Sequence, residues 1–363
     1  MAKIIIAGGG TGGHIFPAVA IANALKQLEP ATEILFVGAK GKMEMEKVPQ
    51  AGYRIVGLDI AGFNRASLLS NIGLPFKLVK SFFQVRKIFQ SFKPDACIGV
   101  GGYSTFPVLK LAQQKGIPTF IHESNSFAGK SNILLGKKAT KVFTGTSNME
   151  QFFPAAKIQV TGNPVRASIA HNRPTKQTAI AAFGLDASKP TILAIGGSLG
   201  ARSINAALAA GLDAIEAAGV QLIWQTGKTT AAQFKEQAAG RNNVWCDAFI
   251  NQMEQAYAAA DVVISRAGAM SVAELCVVAK PAIFVPFPHA AEDHQTVNAM
   301  HLVNQGAALL VKDADAATTL VSTVLALVKD ADKCAALQEK MAPLAISDAD
   351  TVVAKTILQY LNK

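Results

Sequence analysis

Cysteine is scarce in this 363-residue chain. The four residues, Cys97, Cys246, Cys276 and Cys334, lie far apart and have no metal-ligand spacing. That argues against a disulfide scaffold or a zinc ribbon and fits free thiols in a reducing compartment. Long apolar runs are also missing. The apolar residues after Lys3 give way to glycine within a few positions, so no secretory signal is expected. No segment nears the ~18–20 unbroken apolar residues of a membrane span. Charged residues make up only 17%, against 50% hydrophobic, which describes a packed chain, not a disordered one. Acidic residues are in short supply in one half only. Residues 1–166 carry 20 Lys and Arg against 8 Asp and Glu, whereas residues 167–363 carry 15 against 17. The net charge of +10 therefore originates in the first half. That half is expected to meet a membrane surface, nucleic acid or a phosphorylated substrate, unless its basicity serves only solubility.

Glycine, by contrast, is concentrated at two matching places. Lys3-Ile4-Ile5-Ile6-Ala7 runs into Gly8-Gly9-Gly10-Thr11-Gly12-Gly13-His14, and Thr191-Ile192-Leu193-Ala194-Ile195 runs into Gly196-Gly197-Ser198-Leu199-Gly200-Ala201. Each unit is an apolar strand pattern, a glycine turn and a helical stretch. The free N–H groups at the start of such a helix favour an anion. Apolar segments at Lys3–Ala7, Glu33–Val37, Tyr53–Leu58, Ala96–Val100, Thr119–Ile121, Lys141–Thr144 and Ile158–Val160 read as strands of a first series. Thr191–Ile195, Gln221–Gln225, Val244–Cys246, Val262–Ser265, Ala282–Val285 and Ala308–Val311 form a second. Helical patterns lie between most of them. The alternation predicts an α/β protein with parallel sheets in two Rossmann-like domains facing across a cleft, where phosphates would bind. The first domain is placed at residues 1–166 and the second at 167–346, with a hinge near 163–175. A last helix, about 347–363, is expected to pack back on the first domain.

Gly8, Gly10 and Gly13 satisfy the dinucleotide spacing G-x-G-x-x-G. An NAD enzyme would also need an acid at the end of the second strand, but that strand ends in Gly38-Ala39-Lys40 and its Glu33 stands at the wrong end. His14, presented by the turn, is a general-base candidate because the ordinary pKa of an imidazole lies near neutrality. Three more loops carry polar groups to strand ends. Gly99-Val100-Gly101-Gly102-Tyr103-Ser104 suits an anion nest; His122-Glu123-Ser124-Asn125 and Ser265-Arg266-Ala267-Gly268 follow apolar runs. Ordinary turn and cap chemistry explains any one of them alone. Asp313/Asp315, Asp330/Asp332 and Asp348/Asp350 each open a helical stretch, so they are read as caps and no protein-held metal is expected.

Residues 68–92 stand apart. After Pro75, Leu78, Phe82, Val85, Phe89 and Phe92 follow the spacing of a core-facing helix stripe. Phe76, Val79 and Phe83 form a second apolar stripe, preceded by Leu68, Leu69 and Ile72, with Lys77, Lys80 and Lys87 interspersed. Surplus apolar groups among cations point to docking on an anionic membrane surface; a wider buried face with snorkelling lysines is the other reading. No nucleic-acid recognition module is present.

Taken in order, these glycine turns, Gly162-Asn163-Pro164-Val165-Arg166 and Glu292-Asp293-His294-Gln295 make the chain closely resemble the bacterial MurG family along essentially its whole length. These are UDP-N-acetylglucosamine:N-acetylmuramyl-(pentapeptide) pyrophosphoryl-undecaprenol N-acetylglucosaminyltransferases. The resemblance implies the two-Rossmann GT-B glycosyltransferase fold. It also implies conversion of lipid I to lipid II for peptidoglycan synthesis, cell shape and division, at the cytoplasmic face of the cell membrane and beside other cell-wall synthesis proteins. By resemblance, Thr11, Gly12, Gly13, Asn125, Arg166, Ser198, Ile250, Ala269, Met270, Ser271, Val272, Ala273, Glu274 and Gln295 would bind the UDP-sugar. Ser198 and its loop would hold the phosphates, Glu274 the ribose, the Ile250 backbone the uracil, and Gln295 with Asn125 the sugar. Gly101, Gly102, Tyr103 and Ser104 would take the acceptor diphosphate. No tightly bound cofactor is implied, and Mg²⁺ would come only with the substrate diphosphates. A UDP-N-acetylglucosamine 2-epimerase, an NAD-dependent oxidoreductase and a non-catalytic membrane scaffold remain open at this point.

Overall fold

Strands form at every apolar segment named above. A computed structural model describes residues 1–62, 73–171, 174–197 and 199–362. In the first sheet lie β1 (Lys3–Ala7), β2 (Glu33–Ala39), β3 (Arg54–Leu58), β4 (Ala96–Gly99), β5 (Thr119–Glu123), β6 (Lys141–Thr144) and β7 (Ile158–Val160). All pair in parallel, in the order β3-β2-β1-β4-β5-β6-β7. Successive side chains of a strand point to opposite faces. Ile4 and Ile6 accordingly enter one core with Ile21 and Leu25 of the helix Gly12–Leu28, while Ile5 and Ala7 enter another with Val85 and Phe89. Helices on both faces explain why β1 is apolar at consecutive positions instead of alternating.

The second sheet contains β8 (Thr191–Ile195), β9 (Gln221–Gln225), β10 (Val244–Asp247), β11 (Val262–Ser265), β12 (Ala282–Phe284) and β13 (Leu309–Leu310), in the order β10-β9-β8-β11-β12-β13. These ladders are parallel too. One face buries Ile192, Ala194, Trp224 and Ile264 against Leu320, Val324 and Leu327 of the helix Ala316–Lys329.

Each sheet has a point where the chain stops adding strands on one side of its first strand and starts on the other. These switch points lie between β1 and β4 and between β8 and β11. In open parallel sheets the loops at the carboxyl ends of such neighbours frame a ligand crevice. The turn 8–14 and the loop 99–104 occupy the first; the loops 196–201 and 266–268 occupy the second.

Two compact units emerge: Met1–Arg166 with Asp348–Lys363, and Ala167–Ser347. The terminal helix, Ala349–Leu361, buries Val353, Ala354 and Ile357 in the core that holds Ile4 and Ile6. Its Tyr360 ring meets Phe120 edge-on at 5.8 Å.

Of the three Asp pairs, only Asp330 caps by its side chain, accepting the Lys333 N–H at 2.9 Å. Neither Asp315 nor Asp348 makes a side-chain cap bond. Asp313 departs from the capping reading. It turns away from its helix to pair with Arg266 and accept from Ser203. A buried guanidinium needs a counter-charge more than an exposed helix end needs a cap.

Candidate active site

In the first unit the two glycine loops interlock. Gly102 takes φ +90, and a Cβ there would lie 2.3 Å from the Gly9 carbonyl oxygen. Only a bare backbone fits. The Gly9 N–H donates to Gly101 O at 3.2 Å, and the Thr105 hydroxyl bonds both Ala7 O and Gly101 O at 3.0 Å. Glu44, just after β2, enters the turn from behind. Its carboxylate accepts the Gly10 N–H at 2.8 Å and the Ala39 N–H at 2.9 Å, and only 1% of the residue is exposed. Half-buried His14 approaches Gly9 O through Nδ1 at 3.0 Å and Thr11 Oγ1 at 3.4 Å. Glu33, the acid that an NAD site would misplace, opens β2 and lies 3.7 Å from Lys3.

Around this turn, His122 and Glu123 are buried scaffolding. His122 Nε2 lies 3.2 Å from Gly162 O, and desolvation pulls its pKa down to about 4, so it is neutral. Glu123 accepts from the backbone N–H of Asn125 and Gly129 and from the Asn132 amide, and at 3.3 Å from the Asn125 amide, which orients Asn125. Asn163 donates to Ser124 O at 3.1 Å. Arg166 stacks its guanidinium 4.4 Å over the ring of Phe16, on the helix whose first turn holds His14. Tyr103 is exposed, whereas the Ser104 hydroxyl is buried and has no partner among the described residues. Ser104 therefore offers its backbone before its side chain.

The second unit repeats the plan. Gly200 and Gly227, both at positive φ, stack so closely that a Cβ on Gly227 would lie 2.0 Å from Gly200 N. Ser198 lies outside the described residues. Gln225, at the end of β9, donates to Gly197 O at 3.2 Å and accepts the Ile250 N–H at 2.9 Å. The Ile250 amide is thus engaged inside the unit. Glu274 accepts from the Tyr257 hydroxyl at 3.0 Å. Gln295 accepts the Phe287 N–H at 3.0 Å, and Asn298 donates to Ala267 O at 3.1 Å. Arg266 is a brace: besides Asp313 it reaches Val285 O at 2.9 Å and Pro286 O at 3.1 Å.

Four helices follow these loops: Gly12–Leu28, Thr105–Gln114, Arg202–Ala210 and Ala269–Val278. None has a side-chain cap bond at its N-terminus or an acid in its first turn. Their first N–H groups and positive dipole ends suit phosphate.

Comparison with known proteins agrees with this geometry. Residues 4–144 match the glycosyltransferase family 28 N-terminal domain and residues 191–355 its C-terminal domain. Curated relatives in Phocaeicola vulgatus and Bacteroides fragilis are 51% identical, cover 99% of this chain, and are covered to 97% and 96% themselves. Both bear the name UDP-N-acetylglucosamine--N-acetylmuramyl-(pentapeptide) pyrophosphoryl-undecaprenol N-acetylglucosamine transferase. The chain belongs to the MurG family of glycosyltransferases. The crystal structure of Acinetobacter baumannii MurG is 28% identical, with a TM-score of 0.73, over 99% of this chain and 100% of that one. A Neisseria meningitidis UDP-GlcNAc 2-epimerase structure, 14% identical at a TM-score of 0.68 over 99% and 100%, shares the fold.

In this MurG-family chain Leu74–Phe92 forms a helix whose Val85, Ile88 and Phe89 are buried. Phe76, Val79 and Phe83 are not needed by the core: they are 78%, 56% and 65% exposed. Lys77, Lys80 and Lys87 are exposed as well, although Lys80 and Lys40 both bond Asp59 and hold its carboxyl well below the usual range. Leu68, Leu69 and Ile72 lie outside the described residues. Among the described residues, no helix is long and apolar enough to cross a membrane.

Sequence reasoning missed Glu44, Thr105, Gln225 and Asn298 as organisers of these loops. Each acts across strands that are distant in the chain, so no local pattern announces it.

Proposed function

We propose that this chain moves N-acetylglucosamine from UDP-N-acetylglucosamine to the 4-hydroxyl of lipid I, with inversion, and so produces lipid II. The observation that carries the reading is near-full-length identity of about half to transferases named for that reaction. Loops with open helix N-termini at each switch point support the handling of two diphosphates. The second unit holds the donor: the loop at 196–201, including Ser198, and the residues Ala269–Glu274 take the phosphates and ribose, the Ile250 carbonyl reads the uracil, and Gln295 contacts the sugar. From the first unit, Thr11, Gly12, Gly13, Asn125 and Arg166 also contact the UDP-sugar, Asn125 at the sugar itself, and Gly101–Ser104 receive the acceptor diphosphate.

His14 is the base. Its Nε2 takes the proton of the acceptor hydroxyl as that oxygen bonds to the anomeric carbon and the bond to UDP breaks. Backbone N–H groups stabilise the charge gathering on the departing diphosphate. Metal, where present, enters as Mg²⁺ on the substrate diphosphates. Of the acidic pairs, Asp313 is engaged with Arg266 and Asp330 with its helix.

The helix Leu74–Phe92 rests on the cytoplasmic face of the membrane through Phe76, Val79 and Phe83, with lysines toward anionic headgroups; Leu68, Leu69 and Ile72 extend that contact. Basic and apolar groups exposed together support this. Incubation with UDP-N-acetylglucosamine should release UDP only when lipid I is present. Conversion of the sugar nucleotide to its 2-epimer without acceptor would contradict the reading.

A further inference from the structure

The Gly9–Gly10 peptide is hydrogen-bonded at both ends. Its N–H, on Gly10, donates to Glu44 Oε2 at 2.8 Å; its C=O, on Gly9, lies 3.0 Å from His14 Nδ1. A carbonyl oxygen only accepts, so Nδ1 carries the imidazole proton and Nε2 the lone pair. We propose that Glu44 is a positioning residue for His14, its carboxylate acting through the Gly9–Gly10 peptide to fix the imidazole tautomer and stabilise the imidazolium formed during transfer. The proposal rests on His14 as the base.

The pocket around Glu44 is built for a carboxylate. A Cβ on Gly9 would lie 2.2 Å from Glu44 Cδ, and one on Gly38 2.5 Å from Cγ, so glycine is required on both sides. Both partners of the carboxylate, Gly10 N–H and Ala39 N–H, are donors, which is what the ionised form takes. Burial keeps water from screening the charge, and charge-assisted hydrogen bonds are roughly twice as strong as neutral ones. A peptide whose N–H faces an anion carries more negative charge on its oxygen, because linked hydrogen bonds polarise one another. That oxygen is the acceptor of His14. A buried aspartate does the same for histidine directly in serine hydrolases; here a peptide intervenes. The His14 ring is also confined from the other loop, since a Cβ on Gly101 would lie 2.6 Å from its Cδ2.

The proton inventory is simple. The acceptor hydroxyl proton moves to Nε2, Glu44 stays ionised and Gly10 keeps its proton. Among the described residues, His122, which is neutral and senses the His14 charge, and Arg166, over Phe16, are ionisable groups on this side of the unit.

The test is an NMR titration of His14 in the ¹⁵N-labelled full chain, assigned with His14→Gln. In the unmodified protein the neutral ring should carry its proton on Nδ1; a proton on Nε2 would overturn the proposal even if no variant folds. Glu44→Gln keeps the size and removes the charge. It should move the NMR midpoint of His14 and the acidic limb of kcat/KM to lower pH and reduce kcat, with KM for UDP-N-acetylglucosamine unchanged. Thr105→Val loosens the same loops without touching charge, and His14 should titrate as before. An unmoved midpoint in Glu44→Gln, or an equal shift in Thr105→Val, would overturn the relay. Normal turnover in His14→Ala would instead overturn the base assignment, and the titration would still report whether Glu44 and His14 are coupled.

Discussion

His14 and His122 share one residue type and have opposite environments. His14 is half-buried with Nε2 left over from its contact to Gly9 O, whereas His122 is fully buried with Nε2 against Gly162 O. Replacing His14 by Ala should cut turnover by about 10²–10⁴-fold while UDP affinity, measured by calorimetry, stays unchanged. His122 predicts a stability effect instead. Its pKa falls from 6.5 to about 4 on folding, so between these values the unfolded chain binds a proton that the folded chain refuses. Its contribution is intact above about 6.5 and is lost as pH falls toward 4, by up to about 3 kcal/mol. Denaturant midpoints at pH 7 and pH 4.5 should converge for folded His122→Gln relative to the parent; equal drops in both would contradict this. At this scale the sequence was only partly legible. His14 could be singled out because a glycine turn presents it. Glu44 could not: its role depends on β2 lying beside β1, which places residue 44 behind residue 10. Ser104 and Arg266 illustrate the converse, polar groups at loop positions that the fold buries or uses as braces.

Among elements, the glycine loops are braced by side chains from neighbouring strands. Gln225 ties Gly197 to Ile250, so Gln225→Leu would strand a carbonyl and an N–H, each at a cost of about 1–3 kcal/mol when buried. UDP binding should weaken at least tenfold, measured by calorimetry, if this brace sets the loop. The terminal helix contributes to a core, and Ile357→Ala should lower unfolding stability by about 2–5 kcal/mol. The helix Leu74–Phe92 predicts the reverse. Changing Phe76, Val79 and Phe83 together to Ser should leave the melting temperature unaltered, because these side chains are exposed, yet abolish cosedimentation with phosphatidylglycerol vesicles. Retained vesicle binding would contradict docking through this face. Central strand positions were legible almost residue by residue because strands such as β4, β8 and β11 are buried on both faces and so had to be apolar runs, whereas the edge strands β3 and β7 are partly exposed. Only ends moved, as where β2 continues to Ala39, β5 continues to Glu123, whose carboxylate organises the following loop, and β13 shortens to Leu309–Leu310. The helix stripe was legible in part: Val85 and Phe89 are buried as expected, Leu78, Phe82 and Phe92 are only half-buried, Ser81 and Ile88 are buried instead, and Phe76, Val79 and Phe83 are left in solvent.

For the molecule as a whole, the charge division and the two sheets make one argument. The basic half carries the helix proposed to dock and the His14 turn, and the nearly neutral half carries the loops proposed for the donor. Vesicle binding should therefore fall with added salt, in keeping with a Debye length of ~10 Å at 0.1 M. The central claim is that this chain joins N-acetylglucosamine to lipid I. Its most direct test is the lipid isolated after incubation of the full chain with UDP-N-acetylglucosamine and lipid I, with the new linkage determined by NMR. The account predicts one added N-acetylglucosamine, β-linked to the 4-oxygen of the muramyl sugar. Unchanged lipid I, or an α-linkage, would contradict it.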